Sequence, residues 1–316
     1  VDGNYSGQVF SGKLRVEVSQ ERPTVSEVIL ADSSNNVNTD DPEQTFITGS
    51  NPNNYIWYSG KLWRAVSIDP VDNSVKLVTQ WNISSVPYDD NSSAFEGSYM
   101  EEWLNDTSVD GFLGNLREPE KFIKMDSKWN ATMMSDNSKP PSESEGGTIV
   151  ENPVGLINYY ESEKASKIRG VGLSWYLLTP ATSKAIRRVD TGGWAEGTTS
   201  VSSDALGVRP SINLNSNIKI SGGSGTVDDP YRLFGDDDKA LSGVPLSVRY
   251  SGEYIRFGSG ENNLYRIVSH ETNGLTKITS AEPLRENGNF KTIQLGSVKY
   301  SNTIGIGAFL NGEYLT

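Results

Sequence analysis

The chain has no cysteine in its 316 residues and a single histidine, His270. The first absence removes disulfide staples, thiolate metal sites and cysteine nucleophiles together. The second leaves one residue on which any serine and histidine chemistry would turn, and the reading of His270 is a solvent-facing strand end. No apolar run approaches the ~18 to 20 residues that cross a bilayer as a helix. Basic residues are also scarce: 28 Lys and Arg face 40 Asp and Glu, for a formal charge of −12. A surface of that sign repels nucleic acid, and no basic stripe offsets it. The chain starts at Val1 rather than Met. We therefore expect a processed or trimmed product, with any membrane anchor confined to a segment before Val1.

Aromatic residues are plentiful, with 7 Trp, 14 Tyr and 9 Phe, each able to bury roughly 150–250 Å². They supply a core that the modest aliphatic content alone would not. The 31 Gly and 14 Pro, set among Ser, Asn and Asp, favour short strands joined by turns. The expected class is α+β, mostly β.

The strongest pattern is an imperfect internal repeat. NNYIWYSGKLWRAVSI, DNSVKLVT and EEWLND recur in order as GEYIRFGSGENNLYRIVSH, TNGLTKIT and GAFLNG. Leu62-Trp63-Arg64 matches Leu264-Tyr265-Arg266, and Trp103-Leu104-Asn105 matches Phe309-Leu310-Asn311. Uneven spacing between blocks is what insertions in the connecting loops produce. The division that follows is an N-terminal strand segment at 1–48, a complete unit at 49–234, a charged linker at 235–242 and a partial second unit at 243–316. Strands are expected at Tyr55–Tyr58, Leu62–Ile68, Val75–Thr79, Trp175–Leu178, Ala185–Val189 and Val208–Leu214. Ser98 is expected to cap a helix ending at Asn105, Pro153–Ile168 has near-helical spacing, and 135–150 reads as an exposed loop.

The run NNYIWYSGKLWRAV, the EWLN helix end, WYLLTP, GVRPSINL and the closing GTVDDPYRL together resemble a tryptophan-rich domain of unknown function widespread in surface proteins of Firmicutes. Many of those proteins follow a type IV prepilin-like leader or belong to exported, repeat-built polypeptides. The resemblance covers about 50–234 well and 250–312 in part. It implies an exported surface protein, and the paired WYLLTP and GVRP strands are also similar to the core of C-type-lectin-like folds. Leu178 stands where an arginine is common in that family, so a role carried by that arginine is not transferred.

Candidate chemistry is thin. Asp69, Asp72 and Asn73, Asp228 and Asp229, and Asp236 to Asp238 lack the alternation and closing Glu of an EF-hand loop. They read as turns and linker, and calcium remains the one cofactor that oxygen-rich loops would admit. Gly222-Gly223-Ser224-Gly225 has no following Lys-Ser/Thr and opens no helix, so it is not a phosphate loop. Arg209 sits between Val208 and Pro210 in an apolar stretch. Its donors must meet carboxylates or carbonyls, which makes it a structural clasp. Trp63, Trp103, Trp175, Tyr265 and Phe309 are the other expected structural residues.

The functional expectation is a non-enzymatic extracellular subunit of a surface filament or pilus, self-associating and able to adhere. The alternatives are a lectin-like module for a surface glycan or protein and, third, a hydrolase of unrecognised type. Leu14, Val16 and Val18 alternate on one strand face, and Ile304, Ile306, Phe309 and Leu315 are apolar near the other end. These residues are the expected assembly elements: 1–20 of a neighbouring subunit, or of the same chain, is expected to complete the 243–316 unit.

Overall fold

The computed structural model describes residues 21–108, 110–165, 168–170, 173–195, 197–202, 206–236, 246, 249, 253–270, 274–293 and 305–312. In order, the elements are α1 (Val25–Ala31), β1 (Asn36–Asn38), β2 (Thr45–Thr48), β3 (Tyr55–Tyr58), β4 (Lys61–Ile68), β5 (Val75–Thr79), β6 (Ser84–Val86), α2 (Tyr99–Asn105), α3 (Pro119–Phe122), β7 (Lys128–Asn130), β8 (Ile149–Glu151), β9 (Val154–Gly155) and α4 (Tyr159–Lys164). They continue with β10 (Trp175–Thr182), β11 (Ala185–Val189), β12 (Gly197–Ser200), β13 (Leu206–Val208), β14 (Ser211–Leu214), β15 (Ile220–Gly222), β16 (Tyr231–Leu233), β17 (Tyr254–Arg256), β18 (Leu264–His270), β19 (Thr276–Ser280), β20 (Arg285–Glu286), β21 (Asn289–Phe290) and α5 (Gly305–Asn311). The protein is α+β and mostly β.

Ser59 and Gly60 have φ of 52° and 69°, the pair of left-handed residues that a two-residue hairpin turn requires. They fold β3 back on β4, and the Asp69 to Asn73 loop folds β4 back on β5. The trio sits inside a nine-stranded sheet of order β15-β16-β3-β4-β5-β14-β9, with β2 pairing Ser67 and Ile68 of β4 and β1 pairing β2. A second, five-stranded sheet has the order β12-β11-β10-β13-β6. The central strands are buried on both faces. Trp63, Ala65 and Leu77 belong to the larger core with Tyr58, Phe112 and Phe122, whereas Val66 and Val78 join Phe46, Trp175, Leu177 and Val189 in a second core.

Several boundaries differ from the sequence reading, each for a local reason. The stretch 208–214 is two strands, since Val208 ends β13 in the second sheet and Ser211 begins β14 in the first. Pro210 has no N–H to give to either ladder, so the chain changes sheets there. Within Pro153–Ile168 the α-helix starts at Tyr159 and runs to Lys164, because Asn158 caps Glu161 and Val154-Gly155 are already paired with β14. The 135–150 loop includes a short 3-10 turn at Glu143–Glu145 and leads into β8. Of the expected strand segment at 1–48, residues 1–20 lie outside the described residues; in the rest, Val25–Ala31 is a helix with a Thr24 capping box, and β2 is a member of the large sheet, so the sheet extends across position 48.

The second trio repeats the first in its register. Trp63 faces Ile56 and Thr79, and Tyr265 faces Ile255 and Ser280. Both middle strands shift register at one site, between Ala65 and Ser67 and between Ile267 and Ser269. Even flanking bonds recur: Ala65 N–H donates to the Asn54 carbonyl and Ile267 N–H to that of Glu253, each at 2.9 Å. One detail of the sequence alignment is displaced. The ladder sets Leu77 against Ile278, not against Lys277, because the loop between His270 and Thr276 is one residue shorter than that between Ile68 and Val75. A one-residue slip of this kind reverses which side chains face the core.

A Cβ at Gly155 would lie 2.4 Å from Trp129 Cδ2, whereas one at Gly222 would meet nothing within 4 Å. Gly155→Ala should therefore cost about 1 to 3 kcal/mol, and Gly222→Ala should stay within about 0.5 kcal/mol. Denaturant unfolding of the two variants checks the contrast.

Candidate functional site

Where the two trios meet, charge is buried. Glu253, immediately before β17, is fully buried. Its carboxylate accepts from Arg117 Nε at 3.2 Å and Arg249 Nε at 2.6 Å. Asp236 accepts from the Ser59 N–H at 2.8 Å and from Arg117 Nη1 at 2.9 Å. The main chain joins too, as Tyr254 N–H donates to the Gly60 carbonyl at 2.9 Å. Gly60 is required there twice over: its φ is 69°, and a Cβ would lie 2.6 Å from Glu253 Cγ. On the neighbouring strand the Arg266 guanidinium donates to the carbonyls of Asn82 and Ile83.

Lys61 completes the cluster. Its Nζ is buried and donates to the carbonyls of Ser59 at 3.3 Å and Asn115 at 3.2 Å. Burial draws its pKa down from 10.5 to about 8, with Glu253 opposing the shift.

Arg209 lies within the complete unit, away from this joint. It is 1% exposed, and Nε donates to the Thr79 carbonyl at 2.7 Å, Nη1 to the Ile168 carbonyl at 2.6 Å. The guanidinium stacks 4.5 Å from the centre of the Trp175 ring. Burial, and then the neighbouring Arg64, lower its pKa to about 9. The partners are thus carbonyls and an aromatic face.

Trp63 is fully buried and its Nε1 donates to the Tyr58 carbonyl at 3.0 Å, and Trp103 packs half-buried against Phe112. Tyr265 is half-buried against Phe257, and Phe309, buried on α5, has the Lys291 ammonium 4.9 Å from its ring centre. Ile306 is half-buried on the same helix. Leu14, Val16, Val18, Ile304 and Leu315 lie outside the described residues. The expected solvated linker holds a correction at its start, since Asp236 is buried and ion-paired. The sequence reading missed Lys61, Arg117, Asp236 and Glu253. A usable signal existed at one of them: Glu253 takes the place of Asn54 at the head of the repeated strand.

His270 is exposed, with Nδ1 3.1 Å from Thr276 Oγ1 and Nε2 2.6 Å from the Arg249 carbonyl. Asp69 and Asp72 accept from main-chain N–H groups of their own turn. Among the described residues no three His, Asp or Glu side chains group to hold a metal, and no helix is long and apolar enough to cross a membrane. A polar cleft of about 480 Å³ lies beside β5, with Tyr160 in its wall. Its lysines are paired to carboxylates: Lys76 with Glu161, Lys124 with Asp72, Lys128 with Glu143 and Lys139 with Asp41.

Two outcomes follow. Below about pH 8 the fold holds Lys61 protonated against its burial, and between about 8 and 10.5 the unfolded chain binds more protons than the folded one. Stability should rise with pH in that window relative to Lys61→Met, which lacks the group, as urea unfolding at pH 7.5 and 10 can measure. Arg209→Ala should cost about 3 kcal/mol by leaving buried carbonyls unpaired, and Arg209→Met less, because the stem keeps its packing. Melting curves of both variants test this.

Compared with known proteins, the chain matches no family model, no curated sequence and no solved structure.

Proposed function

We propose that the chain is a non-enzymatic extracellular structural subunit of a bacterial surface filament or pilus, built to self-associate. One observation carries the reading: a single strand trio occurs twice in one register, and the two copies have unequal cover. Positions that are fully buried in the first copy are open in the second. Val66 is 0% exposed and its counterpart Val268 is 48%; Tyr58 is 0% and Phe257 is 65%. Apolar positions that a repeat unit buries in one setting and leaves open in another mark places where further chain packs. The joint shows how one trio is seated on another unit, through a main-chain bond and a buried ion cluster.

Electron microscopy of the purified chain across a concentration series should show filaments or ordered oligomers. Deleting 1–20 should abolish them while the 49–234 unit keeps its melting transition. A second reading, a lectin-like module for a glycan or protein, draws on the polar cleft walled by Tyr160. A chain that stays monomeric at high concentration and binds a glycan array, with binding lost in Tyr160→Ala, would replace the filament reading with that one.

A further inference from the structure

One face of the large sheet changes character along its strands. Phe46, Val66 and Val78 belong to the second core, together with Trp175 and Leu177. Phe46 then stands opposite Ser67, Ser67 opposite Lys76 and Lys76 opposite Asn213, so the row across β2, β4, β5 and β14 passes from apolar to polar. Ile212 and Leu214 enter the larger core, which leaves Asn213 on this opposite face. Strand spacing sets Ser67 and Asn213 about 10 Å apart, with Lys76 between them. All three line the polar cleft of about 480 Å³, a volume within the range of roughly 300 to 1,000 Å³ that small-molecule sites occupy.

These groups are held in place yet keep hydrogen-bonding capacity. Lys76 pairs with Glu161, and its ammonium lies 5.2 Å from the centre of the Trp129 ring. An ammonium has three donors and Glu161 takes one. Ser67 Oγ donates to Gln44 Oε1 at 2.8 Å, which fixes the Gln44 amide and leaves its N–H donors for the cleft. The Asn213 carboxamide is half-buried and, among the described residues, makes no side-chain hydrogen bond, so a donor and an acceptor face the cavity from an interior strand. Tyr160 is fixed in the wall by Phe46, their ring centres 5.7 Å apart.

The lining decides the class of ligand. An anion that approaches Lys76 meets Glu161 and, at the rim, Glu43 and Glu143, while a cation meets Lys76, Lys124, Lys128 and Lys139. Every one of those lysines already has a carboxylate, so a charged ligand must break a pair as well as lose its own hydration. An apolar ligand finds only Pro140, Ile149 and Tyr160 among the described lining residues. A peptide captured by strand addition needs an open sheet edge, and here β5 and β14 are each paired on both sides. What fits is a neutral molecule whose neighbouring groups both donate and accept. We propose that the cleft binds a neutral saccharide, with hydroxyls that accept from Lys76 and Gln44 and donate to the Asn213 carbonyl oxygen.

This inference rests on the glycan reading of the same cleft, holds whether or not the chain polymerises, and the test separates the two. The full chain is applied to immobilised glycans of three kinds, neutral, uronic-acid-bearing and amino-sugar-bearing, and the hits are titrated. Binding should be confined to the neutral set and change less than about twofold between about 50 and 500 mM salt. Asn213→Ala should weaken it about tenfold with the melting temperature unchanged, since that side chain holds no partner in the fold. Gln44→Ala, on a different segment, should weaken it several-fold and reads the same site if Asn213→Ala lowers the melting temperature. Binding to acidic or amino-sugar glycans alone, or binding that falls steeply with salt, would overturn the neutral class while leaving the glycan reading intact. Equal affinity of the wild type and both variants would overturn the site. Absence of binding to all three sets would remove the proposal and the glycan reading together, with the filament reading untouched.

Discussion

The two sheets are tied through Arg209 and Pro210. Only these two residues separate the end of β13 in one sheet from the start of β14 in the other, so the sheets can part no further than a dipeptide allows. Thr79, the last residue of β5, is held from both directions: its N–H donates to the Pro210 carbonyl at 3.0 Å and its carbonyl accepts from Arg209 Nε at 2.7 Å. The same guanidinium reaches the Ile168 carbonyl and lies on Trp175 in the second core. A lysine could not replace it, because one compact ammonium cannot serve separated carbonyls in fixed directions and also stack flat on an indole. The charge is kept in the interior without a carboxylate among its hydrogen-bond partners, and its depressed pKa reflects that cost.

The joint between the copies follows different physics. Its two arginines are matched by anions, with Glu253 and Asp236 sharing Arg117 and Glu253 also binding Arg249, while Lys61 donates to carbonyls. Buried ions stabilise a contact only when the geometry is complete, since removing one partner strands the others. Such a cluster specifies one seating and penalises near misses. Its origin can be read from one exchanged residue. In the first copy Asn54 accepts from Arg64 Nε and donates to the Ala65 carbonyl, all within its own trio. In the second copy Glu253 holds that position, and its carboxylate takes Arg117 from the other unit. An internal polar contact has become an external one.

The sequence made the trio legible because its signals are local. Tyr55–Tyr58 and Val75–Thr79 fall where alternation and turn residues set them, and Ser98 caps Glu101 of α2 as its spacing predicts. Features that depend on remote partners were not visible. Nothing in GVRPSINL announces that its halves lie in different sheets, although Pro210 marks the break. The near-helical spacing of 153–168 marks a real helix at Tyr159–Lys164, but it does not reveal that Val154 and Gly155 before the Asn158 cap pair with Ile212 and Ser211 of β14, far later in the chain. Asp236 looked solvated within an acidic run, and only the arrival of Arg117, 119 residues earlier in sequence, makes it an interior ion. The buried arginine clasp could be anticipated as a type, but its carbonyl partners at Thr79 and Ile168 could not.

The two trios separate what a backbone ladder decides from what its surroundings decide. Register, the shifted position in the middle strand and the flanking N–H to carbonyl bonds recur although most side chains differ, because main-chain bonds are indifferent to sequence once the turns are set. Burial does not recur. Trp63 is sealed by Tyr58 and Phe112, whereas Tyr265 meets Phe257, a residue that is itself largely exposed. The outer edge of the first strand makes the same point: Tyr55 N–H donates to the Gly225 carbonyl of its own unit at 3.0 Å, and Tyr254 N–H to Gly60 of the other at 2.9 Å. One donor at one position in the trio thus serves closure in the first copy and docking in the second. A strand group with that property can be reused without redesign of its ladder, and only the residues around it need change.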